Sequence, residues 1–182
     1  MTPAEEVTRL AAAVEDPELP SLTIGDLGIL RDVAVDEGGH VDVNLTPTYS
    51  GCPAVEVIEH DVRAALADAG WGDVTVWRVL SPPWTTDWIT PEGRRKLAAG
   101  GIAPPAAVAE LAGARAAATA ANNGRSAGGF GHALSQPVAF VVRCPHCGSK
   151  DTEVLSAFGS TPCKSLRRCR SCAEPFDHFK PL

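Results

Sequence analysis

The sequence predicts an α+β protein in two parts. A small α/β layer in the order α-β-β-α-β-α comes first, and an Ala/Gly-rich stretch then joins it to a short module that a metal would have to hold together. Three observations predict this. Apolar residues recur at helical spacing in three early segments and alternate with polar residues in three others. Residues 103–137 are mostly Ala, Gly, Pro, Ser and Asn, with little bulky apolar surface. Four of the 6 cysteines form two C-x-x-C pairs beyond residue 140. The expected boundaries are 1–102 for the α/β domain, 103–137 for a linker and 138–182 for the cysteine module.

Thr2-Pro3-Ala4-Glu5 is a capping box, with Pro3 suited to the first helical position. Val7, Leu10, Ala11 and Val14 continue it as one apolar stripe, which the prolines of "DPELP" (16–20) end. Alternation over 29–35 and 41–45, joined by "DEGG", reads as a β-hairpin. Val55, Ile58, Val62, Ala65, Leu66 and Ala69 trace a helical face closed by Gly70. "DVTVWRVL" (73–80) is a further strand. "SPPWTTDWI" places Trp84 and Trp88 in a proline-rich loop, and Thr90-Pro91 opens a short helix.

Composition narrows the function. The chain of 182 residues is 45% hydrophobic and 21% charged, with no apolar run near the roughly 18 residues of a membrane span. "MTPAEEVTRL" lacks the apolar core of a secretory signal, and paired cysteines without a leader fit a reducing compartment, so cytoplasm is expected. The net charge of -6 is uneven: residues 1–102 hold 7 basic against 17 acidic side chains, and residues 138–182 hold 7 against 4. An acidic body repels phosphate backbones, which argues against nucleic acid as a partner of the whole chain.

Cys144-x-x-Cys147 and Cys169-x-x-Cys172 are separated by 21 residues. Two such knuckles on adjacent hairpins supply a tetrahedral sulfur shell for structural zinc, an iron–sulfur cluster on the same ligands being the alternative. Four thiolates leave no open coordination position, so this metal should not catalyse. His146 and His178 read as surface or supporting groups. Cys163 is surplus: a small buried side chain, or an extra thiol ligand if a strand over 163–169 puts it on the face of Cys169. Cys52, before Pro53 at a helix start, is expected beside free amides and a helix dipole that stabilise a thiolate. The residues alone leave it as nucleophile, metal ligand or buried side chain. No phosphate-binding loop, nucleophile-elbow serine or H-E-x-x-H helix is present, and the one Glu-x-x-His spacing, Glu37–His40, falls in a turn. A carboxylate-bridged di-iron core needs two such pairs on helices, so the chain is not that catalyst.

"EDPELPSLTIGDLGIL" followed by "LTPTYSGCP" resembles the iron–sulfur-assembly domain of SufT-like proteins. The shared residues are Asp16-Pro17-Glu18, Asp26-Leu27-Gly28 and Thr46 to Pro53. "SPPWTTDWITPEGRRKLAAGGIAPP" and the cysteine tail are similar to the D subunit of multicomponent phenylacetyl-CoA epoxidases. That resemblance implies a non-catalytic accessory subunit in aerobic phenylacetate catabolism, assisting the iron or iron–sulfur centres of a di-iron oxygenase and a flavin and iron–sulfur reductase. It implies zinc on Cys144, Cys147, Cys169 and Cys172, with transient contact to Fe or an Fe–S cluster through Cys52, Asp16 and Glu18. It also raises the functional weight of Cys163, and self-association is compatible with it. The competing reading is a zinc-ribbon scaffold or nucleic-acid module using Arg143, Lys164, Arg167, Arg168 and Arg170.

Overall fold

The computed structural model describes residues 2–106 and 141–181; from residue 107 onward, the linker expected over 103–137 lies outside the described residues. Helix α1 (Pro3–Ala12) starts as its sequence dictates: the Thr2 hydroxyl accepts from the Glu5 amide, and Glu5 accepts from the Thr2 amide at 2.7 Å. It buries Val7 and Ala11.

Strands β3 (Leu30–Val35) and β4 (Val41–Leu45) form the expected antiparallel hairpin. Helix α3 (Ala54–Asp68) then crosses over to β5 (Val74–Arg78), which runs parallel to β4. In central β4, Val41, Val43 and Leu45 are fully buried while Asp42 and Asn44 alternate outward. They meet the apolar stripe of α3, built from Ala54, Val55, Ile58, Val62 and Leu66.

Between α1 and β3 the chain adds elements the periodicity did not reveal: β1 (Glu15–Asp16), β2 (Leu19–Thr23) and α2 (Ile24–Leu27). The prolines of "DPELP" end α1 and also turn the chain. Asp16 Oδ1 accepts from the Glu18 amide at 2.8 Å and the Leu19 amide at 3.0 Å, a side-chain-made turn that pairs β1 with β2. Thr23 and Asp26 cap α2 reciprocally, and Gly28 ends it at φ 68. A Cβ at Gly28 would lie 2.6 Å from the Trp88 carbonyl oxygen, so glycine is required there both by conformation and by space.

The proline-rich loop staples the rest. The Trp84 indole donates to the Leu27 carbonyl at 3.0 Å, and the Arg31 guanidinium covers the Trp88 ring at 3.5 Å. Helix α4 (Pro91–Ala99) holds Lys96 at 2.6 Å from Asp26. Burial would raise the Asp26 carboxyl, but Lys96 and the Thr23 amide keep it below its usual range.

The last four strands form a second sheet in the order β6-β9-β8-β7: β6 (Ile102–Ala103), β7 (Thr152–Ser156), β8 (Lys164–Cys169) and β9 (Pro175–Phe179). The edge strand β6, reached directly from α4, pairs in parallel with β9. The two modules are thus joined by backbone pairing at residues 102–103, where the sequence suggested a boundary. The contact continues through side chains. Phe179 is fully buried in the first module's core, its ring 6.0 Å from that of Trp84 at 47°. What remains for the second module is a cluster of Ala103, Val142, Cys144, Cys169 and Phe176, two of whose five members are cysteines of the C-x-x-C pairs.

Candidate functional site

Two groups of thiols stand apart in the structure, and β8 connects them. At its far end lie Cys144, Cys147, Cys169 and Cys172, whose sulfurs all fall within 4.8 Å of one another. Cys144 and Cys172 sulfurs are 3.8 Å apart, Cys147 and Cys169 sulfurs 3.5 Å. A tetrahedron with metal–sulfur bonds of about 2.3 Å has edges of about 3.8 Å, so these two pairs have close to the spacing of one tetrahedral shell. Each knuckle is a tight turn. Gly148 N–H donates to the Cys144 carbonyl at 2.9 Å with φ 75, and the matching position after the second pair is Ala173 at φ 64. The Cys169 thiol is drawn down to about 6 by the Cys172 amide foremost, with the Ser171 amide adding to it. The four-cysteine group therefore has the donors and spacing of a closed, structural metal site. His178 is buried, its imidazole pushed down to about 4 by that burial, and Ser165 Oγ lies 3.4 Å from its Nδ1. His146 is exposed, and neither histidine belongs to the sulfur quartet.

At the near end of β8, Cys163 joins a different core. The even spacing to Cys169 suggested a place near that metal, but the strand carries Cys163 to the first module's core, where it is 5% exposed. Its sulfur is 3.0 Å from the Thr161 hydroxyl. Cys52 packs against the same core. Pro53 takes the N-cap of α3, one residue later than expected for Cys52's role, and the Cys52 sulfur accepts from the Ala54 amide. That bond favours the thiolate, yet burial outweighs it and pushes the Cys52 thiol up, with Glu18, Asp16 and Cys163 adding to the effect. Burial therefore works against the thiolate that the helix start alone would favour.

The same groups recur around Cys163, whose thiol is raised chiefly by burial and further by Glu18 and Asp16. Asp16 is buried and its carboxyl raised for that reason; Glu18 is raised by burial and then by the charge of Asp16. Tyr49, in the loop before Cys52, is raised by burial and then by Cys52, Glu18 and Cys163. Asp16, Glu18, Tyr49, Cys52 and Cys163 thus share one electrostatic neighbourhood although they come from three distant segments. No histidine among the described residues serves these thiols as a base. His40 pairs with Asp73 at 3.0 Å beside the first hairpin, and His60 is exposed on α3.

Lys164 was missed by sequence reasoning, which placed it in a basic patch. It is 4% exposed, 3.6 Å from Asp177, and its charge lowers the Asp16, Glu18 and Cys163 groups. Its place directly after Cys163 was the only available signal. The rest of the patch is engaged: Arg168 and Arg170 both clamp Glu153, Arg167 donates to Thr152, and Arg143 reaches the Gly148 carbonyl.

Residues 4–77 match the family described as iron–sulfur cluster assembly protein, and residues 134–180 match the PaaD zinc beta ribbon domain. A protein of Escherichia coli (strain K12), provisionally named as the D subunit of 1,2-phenylacetyl-CoA epoxidase, is 42% identical over 96% of this chain and 91% of its own. The chain belongs to this D-subunit family. Bacillus subtilis (strain 168) Fe-S protein maturation auxiliary factor YitW is 39% identical, over 46% of this chain and 81% of its own. A crystal structure of a Bacillus anthracis domain of unknown function, DUF59, is 29% identical, covering 52% of this chain and 90% of that one with a TM-score of 0.49. In D-subunit terms, the assembly match contains Asp16, Glu18 and Cys52, and the ribbon match contains the metal quartet together with Cys163. No helix among the described residues is long and apolar enough to cross a membrane.

Proposed function

We propose that this chain is a non-catalytic accessory factor of the phenylacetyl-CoA epoxidase system. It assists the maturation or assembly of the iron or iron–sulfur centres in the system's di-iron oxygenase and reductase subunits, in the cytoplasm, during aerobic phenylacetate catabolism. The observation that carries this reading is the meeting of two distant motifs. The Asp16–Glu18 turn and the half-buried Cys52 loop fall in one electrostatic neighbourhood, with no imidazole base for covalent catalysis among the described residues. Names of assembly and maturation factors among the relatives support the same reading.

In this reading the iron cargo is contacted transiently by Cys52, Asp16 and Glu18. Zinc is the ion of the four-cysteine group: four thiolates at tetrahedral spacing, with no vacant position, suit a redox-inert structural ion. A nucleic-acid role is disfavoured by the ion pairs that occupy Arg168 and Arg170 and by the burial of Lys164. The test is a gene deletion followed by purification of the oxygenase and reductase subunits. The expected result is normal amounts of both polypeptides with reduced iron. Fully metallated, active epoxidase from the deletion strain sinks the proposal.

A further inference from the structure

Free sheet edges invite pairing with other chains, and this protein blunts every described edge but one. β1 and β6 are two residues long, and the pairings of β2, β3 and β7 are each interrupted by a register shift. Strand β5 pairs with β4 in unbroken register over Val74–Arg78, and no described strand lies on its other side. The Val41 amide donates to the Asp73 carbonyl and the Val79 amide to the Leu45 carbonyl, so residues 73, 75, 77 and 79 turn their backbone groups toward β4. Val74, Val76 and Arg78 therefore turn theirs outward. The side chains suit pairing as well. Apart from Asp73 and Arg78, the segment "DVTVWRV" (73–79) is β-branched and aromatic. Trp77 lies on the sheet face opposite buried Val76, 54% exposed, its indole nitrogen donating to Asp42 at 2.7 Å.

We propose that β5 is the interface of a symmetric homodimer, in which the β5 strands of two copies pair antiparallel and join the two sheets into one. The occupant is a second copy because the outward backbone groups complement themselves. A two-fold axis through Val76 sets Val76 against the partner's Val76 and Val74 against the partner's Arg78. Every outward amide and carbonyl of β5 falls in one of these pairs, and each pair exchanges both of its N–H···O bonds. Between them Thr75 lies opposite the partner's Trp77, an aromatic against a β-branched side chain at the closer, non-hydrogen-bonded spacing. Charge permits the approach here. Residues 1–102 hold 7 basic against 17 acidic side chains, yet residues 74–77 carry no charge. Asp73 is paired with His40 at 3.0 Å and Arg78 with Glu59. Asp73 comes opposite the partner's Val79, so no like charges meet across the axis. This inference stands independently of the iron-cargo reading.

The experiment is sedimentation equilibrium of the full chain from micromolar to millimolar concentration. The wild type is compared with Thr75→Lys/Trp77→Lys and with Thr75→Glu/Trp77→Glu, circular dichroism confirming that each is folded. Thr75 is partly exposed and Trp77 exposed, so neither change enters the core. Because position 75 faces position 77 of the partner, each variant sets like charges opposite one another twice. The expected result is a concentration-dependent wild-type dimer whose Kd rises about tenfold or more in each variant alone. An equimolar mixture of the two variants should dimerise again, lysine now facing glutamate. A wild type that stays monomeric throughout overturns the proposal, as does a dimer that survives unweakened in either variant. A mixture no more associated than its components overturns the pairing. Protection of residues 73–79 from hydrogen exchange only when the oxygenase or reductase subunits are added assigns the edge to another protein and overturns it too.

Discussion

Replacing Trp84 with alanine should release the second module from the first without emptying its four-thiol centre. The indole is 5% exposed, its nitrogen donates to Leu27 at 3.0 Å, and its ring packs on Phe179 at 6.0 Å. Truncating a buried tryptophan costs about 3–5 kcal/mol. Within that, the ring pair contributes about 0.5–1.5 kcal/mol beyond burial. Trp84→Phe keeps most of the apolar contact and strands the Leu27 carbonyl, which costs about 1–3 kcal/mol. The assay pairs urea unfolding with the alkylation rate of Cys163, mapped by peptide mass. Alkylation of Cys163 should be slow in the wild type, faster in Trp84→Phe and fastest in Trp84→Ala, while zinc stays bound in all three. A double-mutant cycle with Phe179→Leu should return about 0.5–1.5 kcal/mol of coupling. Unchanged protection of Cys163 in a folded Trp84→Ala protein would refute the idea that this contact docks the ribbon.

Ala173 holds a left-handed conformation at φ 64 where the first knuckle has Gly148, so Ala173→Gly should slow zinc loss to a chelator and stabilise the ribbon by about 0.5–1 kcal/mol. Cys144→Ser should lose the bound zinc, seen by metal analysis, whereas Cys52→Ser should retain it. Lys96→Met should cost about 1–2 kcal/mol at neutral pH by removing the partner of Asp26. The folded Asp26 carboxyl titrates below its unfolded value of about 3.9, so this stabilisation is complete above that value and vanishes as pH falls through the folded one. Urea midpoints of wild type and Lys96→Met should therefore converge in acid.

The α3 stripe, the β3–β4 alternation and the capping box at Thr2 were legible in the sequence because each is a local pattern whose period sets the structure. The turn at Asp16 was not, because "DPELP" reads as a helix stop, and nothing local shows that the carboxylate also organises the hairpin beyond it. The cysteine quartet was legible for the same reason as the helices: its spacing alone implies one tetrahedral ion. Cys163 and Lys164 were harder. Strand periodicity assigned Cys163 to the face of Cys169 correctly as pattern, but a six-residue strand spans about 20 Å, so its two ends reach different cores. The direction in which Cys52 is shifted depended on burial that no local sequence pattern reveals.

The four-cysteine group and the placement of Cys163 are therefore not independent features. The second module's own apolar cluster has five members, two of them metal-group cysteines, so its order depends on the ion. That same module carries Cys163 and Lys164 into the first core and presents β6, β9 and Phe179 as the docking surface. An ion bound by the quartet stabilises β8 at one end, and β8 fixes Cys163 at the other. Any free energy that an ion at the quartet contributes to ribbon order is thereby contributed to the placement of Cys163. Through β8, order at the four-cysteine group is carried to the side chain that enters the first module's core, which gives a physical reason for the two modules to share one chain.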